Sequence, residues 1–161
     1  MPMIDLAHAT HAVHAAALEQ ELLSDIPLTR AMALKATGYD GDSLTLSAPL
    51  GPNVNDKGCA FGGSLASLMT LAGWGVIKLA TDARALDCDI YVQDSTVRYL
   101  APVWEDFSAT ARLADGESFE AFFAALAARG KGRLRVHVTV PLADGVPAAT
   151  LDARFVALAK R

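Results

Sequence analysis

The sequence predicts an α+β domain in which one antiparallel sheet curls around a single long, apolar helix. Three observations carry that expectation. The segment from Phe61 to about Thr81 is apolar on almost every face, so it needs cover on all sides. The chain after it alternates with a period of two, most cleanly where Leu134, Val136, Val138 and Val140 interleave with Arg133, Arg135, His137 and Thr139. One short stretch of helical spacing, with Phe119, Phe122, Phe123 and Leu126 on one side, interrupts those strands.

The elements follow in order. Residues 5–24 are Ala-rich without Gly or Pro and read as a helix, with Asp5 as N-cap and Pro27 after its end. Leu28 to Thr37 reads as a strand with Met32, Leu34 and Ala36 on one face. The Gly-Tyr-Asp-Gly-Asp run at 38–42 is a turn, and Ser43 to Ala48 returns as the second arm of a hairpin. Pro49 to Gly58, with two prolines and two glycines among polar residues, is an irregular loop leading into the long helix. Cys88 to Ala101 is a long strand, although Ile90, Val92 and Leu100 share a parity with polar Asp94, Thr96 and Arg98. Phe107 to Leu113 is the next strand, Ser118 to Arg129 the short helix closed by Gly130, and Ala149 to Ala159 the last strand.

Composition narrows the function classes. With 161 residues the chain fits one domain, and 52% hydrophobic against 20% charged residues marks it as globular. A net charge of −4 with scattered basic residues argues against nucleic acid. The one dense basic cluster, Arg129, Lys131, Arg133 and Arg135, reads as a solvated face or as a docking patch for an acidic protein. Two cysteines outside any CxxC pattern, and no signal sequence, point to a reducing cytoplasm. The apolar run tempts a transmembrane reading, but Ser64, Ser67, Thr70, Lys78 and four glycines within it favour a buried helix.

The loop-to-helix junction, N-V-N-D-K-G-C-A-F-G-G-S-L over 53–65, resembles a hotdog-fold motif. With LAGWG at 71–75, DSTVRYLAPV at 94–103, FEAFFAALAARGKGRLRV and a closing RFVALAK, the chain is similar to the putative-thioesterase hotdog family. That family occurs as the C-terminal domain of a bacterial acetyltransferase-linked protein and as free-standing chains. The resemblance covers about 28–161, after an N-terminal helical segment over 1–27. It implies action on acyl thioesters of coenzyme A or acyl carrier protein, and no cofactor is expected from the sequence. Members of the narrow family are linked to malonyl-acyl carrier protein decarboxylation as well as to the thioesterase label. It also implies a pocket at a homodimer interface, and the exposed ends of a curled sheet independently favour such pairing.

The chemistry is read residue by residue. Open amides at Phe61 to Ser64 face out of a helix N-terminus, and Gly62 and Gly63 let a substrate approach closely, which suits an oxyanion hole. The plainer reading is that Gly-Gly lets the helix pass near a strand. Many hotdog thioesterases carry His-Gly-Gly here and a carboxylate seven residues beyond the second glycine; this chain has Phe61 and Thr70 at those positions. No Asp or Glu occurs from 60 to 80, so the usual hydrolytic base is missing.

Asn53 and Asn55 supply donors without a base, and Asn55 is favoured as the polarising donor, although asparagines in such loops commonly serve turns. Asp56 is the candidate base if the reaction is hydrolysis, or else a partner of Lys57. Cys59 is a rival nucleophile or a small buried residue, and Ser64 holds a substrate carboxylate or fills the first turn. Arg98 binds a carboxylate or pantetheine phosphate, or makes a surface salt bridge, while Trp74 and Trp104 read as core or interface residues. His8, His11 and His14 drift around their helix, so no metal site is expected. Decarboxylation of a malonyl thioester is the first expectation, thioester hydrolysis the second, and a non-catalytic acyl-thioester sensor the third.

Overall fold

The structure is a computed structural model that describes residues 6–160; the expected cap at Asp5 lies outside them. Helix α1 (Leu6–Asp25) buries Ala15, Leu18 and Leu22 along one side. It is followed by a five-residue helix α2 (Pro27–Ala31), where a strand was expected. Pro27 stands in the first turn, where its missing N–H costs nothing. The buried Thr29 hydroxyl donates to the carbonyls of Leu22 and Ile26 at 2.7 Å, closing the end of α1. Burial of Met32 and Leu34, which resembled strand alternation, instead reflects a tight connection ending at Ala33, whose φ is +54°.

Strands β1 (Lys35–Tyr39) and β2 (Ser43–Ala48) form the hairpin. Then come α3 (Gly62–Asp82), β3 (Cys88–Tyr99), β4 (Phe107–Leu113), α4 (Phe119–Arg129), β5 (Lys131–Pro141) and β6 (Pro147–Ala159). The Ser118 hydroxyl caps α4 by accepting from the Ala121 amide at 3.1 Å, and Gly130 ends it in a left-handed conformation. The six strands form one antiparallel sheet in the order β1-β2-β4-β5-β6-β3.

Helix α3 packs against β2 to β6, with Leu65, Leu68, Met69, Ala72, Val76, Ile77 and Leu79 buried. By length and composition it would cross a membrane, yet here it is the core helix of the sheet. A Cβ at Gly73 would stand 2.9 Å from the Phe155 ring and 3.0 Å from Val136, so glycine is what lets the helix axis approach β5 and β6.

The mixed parity of β3 has a local cause. Ile90 and Val92 pair with core residues Ala157 and Phe155, but the register slips by one residue before Asp94, which pairs with outward-facing Arg154. That bulge turns Asp94, Thr96 and Arg98 to the outer face and brings Val97 and Tyr99 to the inner one, opposite buried Leu151 and Ala149. The two sheet edges are treated differently. Helix α1 lies along β1, where Glu19 accepts the Ala36 amide at 2.8 Å, whereas the outer edge of β3 has no strand partner among the described residues.

Candidate functional site

The polar loop before α3 is a small hairpin. Val54 and Ala60 form an antiparallel bridge, the Asn55 amide donates to the Cys59 carbonyl at 2.8 Å, and the Phe61 amide donates to the Asn53 carbonyl at 2.7 Å. Gly58, at φ +88°, closes the tip. The Ala60 amide donates to the Val103 carbonyl at 2.8 Å, fixing the hairpin to the chain that leaves β3.

The helix start is therefore rigidly presented. The Phe61 amide is spent on Asn53, but the amides of Gly62, Gly63 and Ser64 meet no acceptor among the described residues. Such groups carry the positive end of the helix dipole. The Ser64 hydroxyl, half-buried, likewise has no partner among the described residues. Beside them is a cavity of about 340 Å³ lined by Ala60, Gly62, Leu65, Tyr99, Leu100 and Val103 among others. Larger cavities of about 510 Å³ and 430 Å³ lie beside Pro49 and beside α4, and neither is lined by residues of α3.

Two aromatic rings bracket the glycine pair. The Tyr99 ring lies 3.4 Å from where a Gly62 Cβ would be, and the Phe61 ring would come within 2.3 Å of a Gly63 Cβ. The Tyr99 hydroxyl donates to the Gly62 carbonyl at 3.1 Å. Tyr99 escaped sequence reasoning because strict alternation from Ile90 places it on the outer face; only the bulge brings it to the helix.

The two asparagines separate clearly. Asn53 is buried, and its Nδ2 donates to the carbonyls of Met32 (3.0 Å) and Pro49 (2.8 Å). Both its N–H groups are used, and its Oδ1 is left buried without a partner, so it holds the loop in place and has no donor to offer. Asn55 accepts the Lys57 amide at 2.8 Å and gives one Nδ2 hydrogen to the Cys59 sulfur at 3.2 Å. Its second Nδ2 hydrogen is unspent. Asn55 lies on the hairpin opposite Cys59, which stands three residues before the first residue of α3.

The remaining candidates scatter. Asp56 is exposed and pairs with Lys57 at 3.0 Å. Cys59 is buried beneath Asn55. Cys88, the first residue of β3, is half-buried, and burial pushes its thiol above the ordinary range. Thr70 donates to the Ala66 carbonyl of its own helix at 2.8 Å, two turns beyond the glycines. Arg98 faces the outer side of the sheet opposite Thr150, away from the helix start. Trp74 ties α3 to β3 through a 3.0 Å bond from Nε1 to the Ile90 carbonyl, and Trp104 is exposed. His11 packs edge-on to Tyr39, and His137 bonds Asp152 at 2.8 Å on the outer face. In the basic cluster, Arg135 pairs with Glu117 at 2.8 Å and Arg133 reaches Gln93 at 3.2 Å.

Residues 15–159 match the family model described as "Putative thioesterase (yiiD_Cterm)", which takes in nearly the whole chain. The chain belongs to this thioesterase family. Among solved structures, a protein of unknown function from Chlorobaculum tepidum is 30% identical over 91% of this chain and 94% of its own, with a TM-score of 0.85. A "putative thioesterase" from Shewanella oneidensis is also 30% identical, covering 91% of this chain and 99% of that one at a TM-score of 0.80. A "probable thioesterase" from Pseudomonas aeruginosa, 22% identical over 90% of this chain and 96% of that one at a TM-score of 0.76, shares the fold. The α+β hotdog architecture of this thioesterase-family chain is common to these neighbours. Membership makes it an acyl-thioester enzyme at the coarse level.

Proposed function

We propose that the protein decarboxylates a malonyl thioester, carried by coenzyme A or by acyl carrier protein, to the acetyl thioester. The observation that carries this reading is the wall of the cavity at the start of α3. Gly62 stands in that wall at the head of the open amides of Gly62, Gly63 and Ser64, yet none of the lining residues is a carboxylate or a histidine. Hydrolysis needs a base to activate water or a nucleophile. Asp56 is solvated and paired, and Cys59 is buried with its sulfur hydrogen-bonded. Decarboxylation asks for neither.

In the proposed step the bond from Cα to the carboxylate carbon breaks and carbon dioxide leaves. The electron pair moves into the thioester carbonyl, giving an enolate whose oxygen faces the Gly62–Ser64 amides. The second Nδ2 hydrogen of Asn55 supplies a further donor as the substrate seats against the hairpin. Water then protonates Cα. Donors aimed at developing charge are where a site of this kind gains most of its rate. In this reading the half-buried Ser64 hydroxyl orients the carboxylate before it leaves.

Family membership favours hydrolysis as the second reading. The two separate in a paired assay on malonyl-coenzyme A. Carbon dioxide release without free thiol is the expected result, and thiol release at the same rate as substrate loss would establish the hydrolase instead.

The reading includes a homodimer formed through the β3 edge. That edge exposes Tyr91, Val92 and Tyr99, while the opposite edge is already served by α1. The half-buried stripe Ser67, Thr70, Leu71 and Trp74 on α3 would gain its cover from a second copy. Light scattering is expected to give the mass of two chains. Replacing Val92 with Lys, which sets like charges on a pairing edge, is expected to give one.

A further inference from the structure

We propose that Tyr99 is a positioning residue that sets the orientation and donor strength of the Gly63 amide; the proposal rests on the amides of α3 being the oxyanion donors. The Gly62 carbonyl and the Gly63 N–H belong to one planar peptide group, so whatever holds the oxygen also aims the hydrogen. The Tyr99 hydroxyl holds that oxygen at 3.1 Å. Its ring lies beside the Gly62 backbone, 3.4 Å from where a Cβ would stand. A donor on the oxygen draws electron density from the nitrogen of the same peptide, so the open Gly63 N–H becomes the stronger donor.

The position on the chain reinforces this reading. First-turn N–H groups lack intrahelical acceptors, so the aim of the Gly63 amide depends on how its peptide plane is held from the carbonyl side, and the glycines at 62 and 63 add no side-chain restraint of their own. The Phe61 side chain gives no cap bond, since it has no polar atom. Tyr99 is thus the only side chain among the described residues that hydrogen-bonds the Gly62–Ser64 turn. It reaches there because the bulge before Asp94 turns it inward, and because the Leu100 and Ala101 amides, both bonded to the Ala148 carbonyl, anchor the strand end behind it.

The test compares Tyr99→Phe, which keeps the ring and loses the hydroxyl, with Tyr99→Leu, which loses both. Each is assayed on malonyl-coenzyme A and on a panel of acyl-coenzyme A thioesters, and the Gly63 amide is followed by nuclear magnetic resonance. Tyr99→Phe is expected to lower kcat about ten-fold with KM within about two-fold, as a partly misaligned donor should. The Gly63 nitrogen should move upfield with the melting temperature unchanged. A Tyr99→Phe protein with wild-type kcat, or with an unmoved Gly63 resonance, overturns the proposal even if Tyr99→Leu is impaired, because packing alone then explains the residue. A loss expressed only in KM also overturns it, since that marks a direct substrate contact. Wild-type protein inactive on the whole panel would instead overturn the proposed function, and this inference with it.

Discussion

Substituting aspartate for Asn55 is expected to lower kcat for malonyl-thioester decarboxylation by about 10²–10³-fold, the usual consequence of losing one oxyanion donor. The substitution is chosen for what it keeps. An aspartate oxygen can still accept the Lys57 amide, so the turn at 55–58 is retained. It loses both Nδ2 hydrogens: the one given to the Cys59 sulfur and the one left for substrate. It also adds a negative charge where a malonyl carboxylate must approach. Asn55→Ala should abolish activity too, but it frees the Lys57 amide and would cost about 1 kcal/mol of loop stability besides. Asn53→Ala should behave differently, lowering stability by unpairing the Met32 and Pro49 carbonyls. The check is steady-state kinetics alongside thermal melts. An Asn55→Asp protein with wild-type kcat would remove Asn55 from the mechanism.

The largest effect on stability is expected from Phe155→Ala, at about 3–5 kcal/mol. Phe155 is almost fully buried on β6, and its ring fills the space that Gly73 leaves open between α3 and the sheet. Truncation leaves a void that neither a helix fixed by its hairpin nor a strand paired on both sides can close. For a domain of this size the loss corresponds to a fall in melting temperature of roughly 10 °C or more. Denaturant unfolding gives the free energy directly. A change below about 1 kcal/mol would mean that α3 settles onto the sheet, against the close approach at Gly73.

The core of this fold could be read from periodicity. The all-round apolar α3 and the alternation in β5 each follow from burial, which acts on every residue of an element and so writes a repeated pattern. Single local events were harder to read. Met32 and Leu34 alternate as a strand would, and only the pairing of Thr29 with the end of α1 shows why a helical turn precedes β1. The bulge in β3 left its trace as an apolar-to-polar switch at constant parity, yet that trace alone does not say which residues turn inward.

The site was legible to the same extent. Gly-Gly at the helix start and the absence of acid on α3 are properties of the sequence itself. Which asparagine keeps a free N–H depends on backbone carbonyls at Met32 and Pro49, and nothing in the sequence near Asn53 announces them. Tyr99 was hidden for a related reason, since its contact with Gly62 joins residues 37 positions apart.

The most direct measurement is the intact mass of malonyl-acyl carrier protein after incubation with the protein, beside acetyl- and longer acyl-carrier proteins. Conversion of malonyl to acetyl carrier with the thioester intact, and no change in the others, is the predicted result. Appearance of the free carrier thiol from the start, with no acetyl species before it, would contradict decarboxylation and leave a hydrolase on this fold.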